Sequence, residues 1–431
     1  MISNGRRAFF HKLTGCLAAA AAVPPMVTEQ HRLGGARLAA VPELPDTGTT
    51  EESYWNLVAR QFSLRPGLIM MNAANLCPSP YQVAQSVSRL TADVDTDVSF
   101  QNRAKFGPLR EAARQQLAAY IGADPDEIAI TRNTSEGNNT IVNGLELGSG
   151  DEVVIWDQNH PTNNIAWDVR AQRYGFRVKR VATPPAPSSE TVLVEPFLRA
   201  VTRDTKVLAF SHVSNVSGVA LPARRLCDFA REHGIFTLVD GAQTFGALRL
   251  DLHGMGCDAF TGSSHKWFVG PKEAGVLYVR RERVPEIWPG DVGVGWEAAV
   301  QSGAQKFESL GQRDDAAVAA MGTTVTFHET VGIDSIEARV RQLAAALKQG
   351  LRETLPDITF HTPLDSQLSA GVVVFLPANA DARRLFEALY ADHNIAGAAM
   401  AGEFTGIRLS PHIYNTMAEV ERVIDVITSL T

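Results

Sequence analysis

The chain has 431 residues, 45% hydrophobic residues, four cysteines and a formal net charge of −7. A modest acidic excess argues against a protein held on nucleic acid by its overall charge, because phosphate binding depends on lysine and arginine. Four cysteines without CxxC spacing are too few for a disulfide scaffold and form no metal-ligand pattern, so we predict no metal site. The length suffices for two or three domain-sized units.

The first forty residues differ from the rest of the chain. They hold five basic residues and one acidic residue, a net of +4, which leaves −11 for the remainder. Arg6 and Arg7 precede Phe9 and Phe10, and a short alanine-rich apolar stretch follows at 13–23. This order is typical of an export signal, and the paired arginines resemble the twin-arginine (Tat) signal. We therefore predict a Tat-type leader over 1–40 and a periplasmic protein, with an ordinary Sec signal as the alternative.

Beyond the leader, residues 41–55 are predicted to be a linker within an N-terminal arm over 41–75. Apolar runs then alternate with amphipathic patterns. The predicted strands are 152–156, 178–181, 206–210, 235–239, 259–261 and 275–279, and the helical patterns between them are 163–174, 194–201 and 222–233. Continuous apolar strands alternating with helices predict an α/β domain with a mainly parallel, doubly wound sheet, over 76–319.

A second set of elements follows residue 320. It opens with a long helical pattern whose predicted polar face carries Glu337, Arg339, Arg341, Lys348 and Arg352. A strand-like stretch at 371–376 and helices at 381–390 and 417–430 complete the chain. These elements predict a smaller α+β domain over 320–431.

Polar side chains follow four of the predicted strands, where ligands bind in open α/β sheets. They are Asn159 and His160; His212, Ser214 and Asn215; Asp240 and Gln243; and Ser263, Ser264, His265 and Lys266. Each residue taken singly has a structural explanation, such as a turn or a satisfied core histidine. Their joint placement at one sheet edge predicts a binding site.

Thr134 and Ser135 belong to a polar, glycine-containing turn that precedes an apolar helix predicted to begin at Thr140. Free backbone N–H groups and the helix dipole at such a start favour an anion such as phosphate. The alternative is a simple helix N-cap.

Together these segments resemble the class V aminotransferase family, pyridoxal 5′-phosphate (PLP) enzymes of the aspartate-aminotransferase fold, or fold type I. The resemblance runs from about residue 68 to 431 in the family's order. It is carried by Asp-Gly-Ala-Gln at 240–243, Ser-Ser-His-Lys-Trp at 263–267 and Gly-Pro at 270–271, with support from Thr-Ser-Glu-Gly at 134–137, Asn-His-Pro at 159–161 and Ser-Asn-Val-Ser-Gly at 214–218.

The resemblance implies a role for each matching residue. Lys266 would form the covalent linkage to PLP and then act as general base. Asp240 would pair with the pyridinium nitrogen, and His160 would stack on the ring. Gln243 would hydrogen-bond the phenolic oxygen, and Asn215 would support the same edge. The phosphate would be held by Thr134, Ser135, Ser263 and His265.

Near the C-terminus, Arg-Leu-Ser-Pro-His-Ile-Tyr-Asn at 408–415 resembles the segment whose arginine binds the substrate carboxylate. The planar guanidinium of Arg408 suits that task, because it pairs bidentately with a carboxylate. A surface salt bridge is the alternative. This form of the segment is most similar to the isopenicillin N epimerase-like branch.

Two segments depart from other branches. Cysteine desulfurases need a nucleophilic cysteine on a loop before the arginine, and residues 396–405 contain none, so we expect no persulfide chemistry. Gln312 stands where relatives often have a threonine that reaches the partner subunit's phosphate. The threonine hydroxyl contact with the partner's phosphate is therefore not expected. The amide of Gln312 can still donate a hydrogen bond there.

The resemblance implies an enzyme acting at the amino group or Cα of an amino-acid-like substrate, and the predicted leader implies that it is exported. Aminotransferase-type chemistry is the first expectation. Epimerisation, or C–S lyase chemistry as in ergothioneine biosynthesis, is the alternative, and a non-catalytic PLP-fold binding protein is the third. Export combined with PLP resembles the periplasmic enzymes that tailor the amino-terminal glutamate of pyoverdine siderophores, so a peptide-borne amino acid is a candidate substrate. A homodimer is expected, because fold type I sites usually lie between subunits.

Overall fold

The computed structural model describes Leu44 and residues 51–431. The predicted leader over 1–40 lies outside these residues, so the Tat signal stays a prediction. Within the described part of the chain, none of the helices combines the length and the apolar character that a membrane span requires. The last residues of the segment predicted as a linker or arm over 41–55 belong to a helix at Glu52–Ala59, in which Tyr54 and Trp55 are buried.

The described residues contain thirteen strands. In chain order they are β1 (Ile69–Met70), β2 (Ile128–Thr131), β3 (Glu152–Trp156), β4 (Arg177–Val181), β5 (Thr205–Ser211), β6 (Phe236–Asp240), β7 (Ala259–Ser263), β8 (Gly275–Val279), β9 (Thr359–Phe360), β10 (Val373–Leu376), β11 (Ile395–Ala396), β12 (Ala398–Met400) and β13 (Gly406–Leu409). The six strands predicted between 152 and 279 agree with β3–β8 to within two residues at each end.

The central sheet has seven strands in the order β2-β8-β7-β6-β5-β3-β4. Strands β3 to β7 pair in parallel, whereas β8 runs antiparallel to both β7 and β2. The short connection at 264–274 explains the reversal of β8, because a parallel crossover needs a dozen or more residues and usually a helix. The predicted doubly wound, mainly parallel sheet is therefore confirmed.

Helices cover both faces of this sheet. The helices of the described residues are α1 (Glu52–Ala59), α2 (Tyr81–Thr96), α3 (Phe100–Arg103), α4 (Phe106–Ile121), α5 (Thr134–Gly144), α6 (Pro161–Tyr174), α7 (Glu190–Ala200), α8 (Ala223–Glu232), α9 (Leu252–Met255), α10 (Trp296–Ala299), α11 (Asp315–Val331), α12 (Ile333–Thr354), α13 (Ala382–Ala391) and α14 (Met417–Leu430). Alternate residues of β3 point to opposite cores: Val154 and Trp156 pack with α4, α7 and α8, and Val153 and Ile155 with α5 and α6.

Helix α5 begins at Thr134, six residues before the predicted start at Thr140. Asn133 caps it, because its side chain accepts a hydrogen bond from the Glu136 amide at 3.0 Å. Gly137 lies inside the helix rather than in a turn. A Cβ at this position would lie 2.8 Å from Cγ2 of Thr261, so glycine lets the first turn of α5 pack closely against β7.

The C-terminal elements form a four-stranded sheet in the order β12-β13-β10-β9, in which all neighbours pair antiparallel. Helices α12, α13 and α14 supply most of the apolar side chains packed with it. Strand β1 joins these elements, because it pairs in parallel with β11. This arrangement is the predicted α+β combination. The pairing of β1 with β11 also places the segment around residue 70 beside the C-terminal elements.

Two charged residues of α12 are not on the predicted polar face. Arg339 is 1% exposed and Lys348 is 5% exposed. Arg339 pairs with Glu52 at 2.8 Å and donates to the Asn415 carbonyl at 3.1 Å. The Lys348 ammonium donates to Ser369 Oγ at 2.9 Å and to backbone carbonyls. Both charges can be buried because other segments supply their hydrogen-bond partners. A helical pattern does not reveal such partners, so the sequence placed both residues on the polar face.

Candidate active site

The structure brings the predicted residues together at the carboxyl-terminal edge of the sheet. Asp240 ends β6, Ser263 ends β7, and Lys266 follows three residues later. The charges of Asp240 and Arg408 both act on Lys266, and Lys266 in turn acts on His160. These four side chains, which come from different parts of the chain, therefore lie near one another.

The Asp240 carboxylate is buried and held by two donors. Oδ2 accepts from the Asn138 amide at 2.9 Å, and Oδ1 accepts from the Ala242 N–H at 3.0 Å. Asn138 is itself fixed, because its Oδ1 accepts from the Thr261 hydroxyl at 2.8 Å. A carboxylate held in this way suits a cationic ring nitrogen, since no cationic side chain of the described residues forms an ion pair with it.

Lys266 has a pKa below the ordinary lysine value. Burial is the main cause, and Arg408 acts in the same direction, whereas Asp240 and Cys77 oppose the shift. A lowered pKa leaves more of the amine neutral, and the neutral form is the one that attacks a carbonyl group and can accept a proton. These are the two properties that the linkage to PLP and general-base catalysis require.

A hydroxyl-rich cradle lies at the N-terminus of α5. The Thr134 N–H donates to Ser263 Oγ at 2.8 Å, and the two hydroxyl oxygens are also 2.8 Å apart. Ser135 is the next residue of the helix, and His265 follows Ser263 by two residues. Burial, with Lys266 as a second cause, lowers the pKa of His265 to about 4. The neutral ring therefore offers a hydrogen bond rather than a charge to an anion.

His160 is the N-cap of helix α6, and its imidazole is fixed by the first turn of the helix. Nδ1 accepts from the Thr162 N–H at 3.2 Å, so the neutral ring carries its proton on Nε2. Burial and the nearby Lys266 lower the pKa of His160. A neutral, oriented ring is compatible with the predicted stacking on the cofactor.

Gln243 is oriented by two groups of the protein. Its Nε2 donates to the Ala74 carbonyl at 3.0 Å, and its Oε1 accepts from the Trp267 indole N–H at 2.8 Å. The second amide proton of Nε2 is left for another acceptor. The predicted contact with a phenolic oxygen is compatible with this geometry and stays a prediction.

Arg408 is 7% exposed, which rules out a surface salt bridge. Nη1 donates to the Asn215 carbonyl at 3.0 Å, and Nη2 donates to Asn72 Oδ1 at 3.2 Å. Nε is buried without a partner, and no acidic side chain of the described residues pairs with the guanidinium. Burial alone lowers the pKa of Arg408 to about 10. A buried cation with no counter-charge and one unused N–H edge points to an anionic ligand.

Asn215 thus contacts the predicted substrate arginine through its backbone carbonyl. Its predicted role at the cofactor stays a prediction. Three residues that contact the site were not singled out from the sequence: Asn72, which binds Arg408; Asn138, which binds Asp240; and Trp267, which orients Gln243. Asn138 lies one helical turn after Thr134, so the inner face of α5 could have indicated it. No local pattern indicates Asn72.

The three cysteines of the described residues are buried free thiols at Cys77, Cys227 and Cys257. Burial raises the pKa of Cys77 to about 12 and that of Cys227 to about 12, and the pKa of Cys257 is also raised. None is therefore a ready thiolate nucleophile. Together with the absence of cysteine from 396–405, this argues against a persulfide-carrying site in the described part of the chain.

Gln312 lies at the surface, and its side chain is engaged within the protomer. Oε1 accepts from Arg103 at 3.0 Å, and Nε2 donates to the Arg313 carbonyl at 3.2 Å. An inter-subunit contact through this residue would require one of these hydrogen bonds to change.

Comparison with known proteins identifies the family. The family model described as aminotransferase class-V matches residues 77–423. The chain belongs to the class V aminotransferase family. Its members are PLP enzymes, so the prediction of an enzyme that uses this cofactor is confirmed at the level of the family. The buried amine, the held carboxylate and the hydroxyl cradle are the groups that PLP needs, and they fit it.

Within this class V family the chain is similar to several characterised branches. It is 29% identical over 393 residues to isopenicillin N epimerase of Streptomyces clavuligerus, covering 88% of this chain and 98% of the relative. It is 32% identical over 276 residues to a probable cysteine desulfurase of Halalkalibacterium halodurans, covering 62% and 66%.

Solved structures agree with the predicted fold. A lysine-to-alanine mutant of C-DES with glycine covalently linked to its PLP cofactor aligns with a TM-score of 0.78 at 22% identity, covering 85% of this chain and 98% of that one. The predicted class V membership and fold type I architecture are therefore confirmed.

Proposed function

We propose that this class V enzyme removes and returns the Cα proton of an amino-acid-like substrate, in an epimerase-type reaction. The observation that carries the proposal is Arg408, a buried cation without an acidic partner among the described residues. It lies near the buried amine of Lys266, so a carboxylate on Arg408 would bring the neighbouring Cα to Lys266. The similarity to an isopenicillin N epimerase over nearly the whole relative supports the choice of reaction.

Each residue has a definite task in this proposal. Arg408 binds the α-carboxylate through its unused N–H edge. Lys266 Nζ accepts the proton from Cα on one face, and a proton from solvent is delivered to the opposite face, which inverts the centre. PLP, when bound, supplies the electron sink that stabilises the carbanion. Asp240, held by Asn138, would keep the cofactor's ring nitrogen protonated so that the ring could accept this charge.

Aminotransferase-type chemistry, the first expectation from the sequence, shares the removal of the Cα proton and differs in where the proton returns. Sulfur transfer by a cysteine persulfide is less well supported, because the described cysteines are buried with raised pKa values. C–S lyase chemistry without a protein thiol remains an alternative outcome of the same experiment.

The test uses PLP-loaded protein in D2O with a panel of L- and D-amino acids and peptides with an amino-terminal glutamate. We expect deuterium at Cα, growth of the opposite enantiomer and an unchanged cofactor spectrum. Accumulation of the pyridoxamine form would instead establish transamination, and release of sulfide would establish lyase chemistry. A protein that stays colourless after incubation with PLP would overturn the assignment as an active enzyme.

We further propose that the enzyme acts in the periplasm on a peptide-borne amino acid. The support is the twin-arginine pattern at Arg6 and Arg7 and the basic leader around it. Replacing both arginines with lysine should leave the protein in the cytoplasm, as measured by fractionation of cells expressing the full chain. Unchanged periplasmic delivery, or cytoplasmic retention of the wild type, would contradict this proposal.

A homodimer is the third part of the proposal. Phe100 is 83% exposed and Val98 is 67% exposed, and Val98 lines the same cleft as Gln312. An exposed apolar cluster beside this residue suits contact with a second copy. Light scattering on the purified protein should give twice the protomer mass, and a fully active monomer would contradict the expectation.

A further inference from the structure

The loop that carries Lys266 is fixed by hydrogen bonds to its own carbonyl groups. The His265 carbonyl accepts from the Cys77 N–H at 2.8 Å, and the Lys266 carbonyl accepts from the Val269 N–H at 2.9 Å. The Gly270 carbonyl accepts from the Ser79 hydroxyl at 2.8 Å. Val269 has a φ of 49°, a left-handed conformation that is unfavourable for a β-branched residue and persists only where the surroundings hold it.

Two buried histidines bind the carbonyls of the two residues that follow Lys266. His412 Nε2 lies 2.7 Å from the Trp267 carbonyl, and His328 Nε2 lies 2.9 Å from the Phe268 carbonyl. Because a carbonyl only accepts, both rings donate from Nε2. Burial lowers the pKa of His412 to about 3 and that of His328 to about 4, so both rings are neutral donors in the physiological range.

His412 comes from the same segment as the substrate arginine. It follows Arg408 by four residues, just beyond β13, and a tight turn fixes it. Its N–H donates to Asn415 Oδ1 at 3.0 Å, and the Asn415 N–H donates to the His412 carbonyl at 2.7 Å. The segment that holds Arg408 therefore also holds the loop of Lys266.

The bond from His412 closes a ring of hydrogen bonds around the site. Ser410 Oγ accepts from the Ala74 N–H at 3.0 Å, and the Ala74 carbonyl accepts from Gln243 at 3.0 Å. Gln243 accepts from the Trp267 indole at 2.8 Å, and the Trp267 carbonyl accepts from His412. The ring thus returns to the segment that carries Ser410. His328 lies outside it, because its other nitrogen accepts from the Tyr120 hydroxyl in the core.

We propose that His412 is a positioning residue that fixes Lys266 and Gln243 through the Trp267 carbonyl and indole, and so joins the substrate arginine to the lysine. It touches neither substrate nor cofactor in this account. The inference rests on the proposed role of Lys266 as base. It predicts a property of the lysine itself, which can be measured without substrate.

The experiment measures the pKa of Lys266 in the apo-protein. Competitive acetylation is carried out over a range of pH and read by mass spectrometry at the peptides of Lys266 and Lys272, with Lys272 as internal reference. In His412→Phe the ring shape remains but the donor is lost. The loop then loosens, water reaches the amine, and the lowered pKa of Lys266 rises towards its ordinary value.

We expect an upward shift of about 0.5–1 unit in His412→Phe, the size that follows from one neutral hydrogen bond. His412→Gln places an amide donor at the same reach, and its pKa should return to within about 0.2 unit of the wild-type value. His328→Phe is the matched control. It removes an equally buried donor that lies outside the ring of hydrogen bonds. The variant should lower thermal stability without changing the pKa of Lys266.

Three results would overturn the proposal: no shift in a folded His412→Phe protein, an equal shift in His328→Phe, or no rescue by glutamine. If His412→Phe does not fold, comparison of His412→Gln and His412→Asn keeps the test decisive. Asparagine is too short to reach the carbonyl and should show the shift. A different substrate or reaction would leave all these outcomes unchanged, so the failure of this inference and that of the proposed function are separable.

Discussion

Replacing Lys266 with alanine is expected to lower the rate of Cα-proton exchange by about 10³-fold or more. The variant loses both the nucleophile that links the cofactor and the base that accepts the proton. Exchange of the Cα proton for deuterium in D2O, followed by NMR, is the measurement. The absorption band of the covalently bound cofactor should vanish in the same protein, even after incubation with excess PLP.

Lys272 provides the matched control for this prediction. It lies six residues further on, and burial also lowers its pKa. Its ammonium, however, donates to the Cys77 carbonyl at 2.9 Å and to Ser79 at 3.1 Å, so it serves as a structural contact. Lys272→Ala should keep the cofactor band. Loss of the band in this variant, together with its retention in Lys266→Ala, would contradict the assignment.

Arg408→Gln is expected to lower kcat/KM by about 10- to 150-fold, because a hydrogen bond to a charged group contributes about 1.5–3 kcal/mol. Most of the loss should lie in KM, since the carboxylate is bound both before and during proton transfer. The folded apo-protein should be no less stable, because burial of an uncompensated cation is itself unfavourable. Steady-state kinetics and thermal unfolding of the same preparation measure both effects.

The opposite behaviour is expected of Arg339→Gln. Arg339 is also buried, but it pairs with Glu52 and lies outside the site. Removing it should cost about 2–3 kcal/mol of stability, less than a fully buried pair because Glu52 is partly exposed. The fall in kcat/KM should be far smaller than in Arg408→Gln, because Arg339 reaches the site only through the Asn415 carbonyl. If Arg408→Gln instead unfolds easily and keeps its kcat/KM, then Arg408 is a structural residue and the carboxylate site is elsewhere.

The central sheet could be predicted because its strands are continuous apolar runs that end abruptly in polar residues. Asp240 ends one such run and Lys266 follows the end of the next by three residues, so local sequence was enough to place them at one edge. The start of α5 was predicted six residues too late, since the apolar run begins only at Thr140 and Gly137 suggested a turn. In the structure Gly137 serves close packing against Thr261, which depends on tertiary contact.

The residues that the sequence did not reveal are those with distant partners. Arg339 pairs with Glu52, which is 287 residues away in the sequence, and Asn72 binds Arg408, which is 336 residues away. Ala74 accepts a hydrogen bond through its backbone carbonyl, and His412 donates to the backbone carbonyl of Trp267. Contacts with backbone groups cannot be predicted from the side-chain type of the partner. A helical or strand period describes which face of an element is apolar. It does not describe which buried polar group from elsewhere meets that face.

Lys266 is expected to carry PLP next to the carboxylate site at Arg408. The most direct measurement is borohydride reduction of the PLP-loaded protein, followed by digestion and mass analysis of the peptides. We expect one pyridoxyl group per chain, on the peptide that contains Lys266. A pyridoxyl group on Lys272 or another lysine, or none on a protein that has bound PLP, would contradict it.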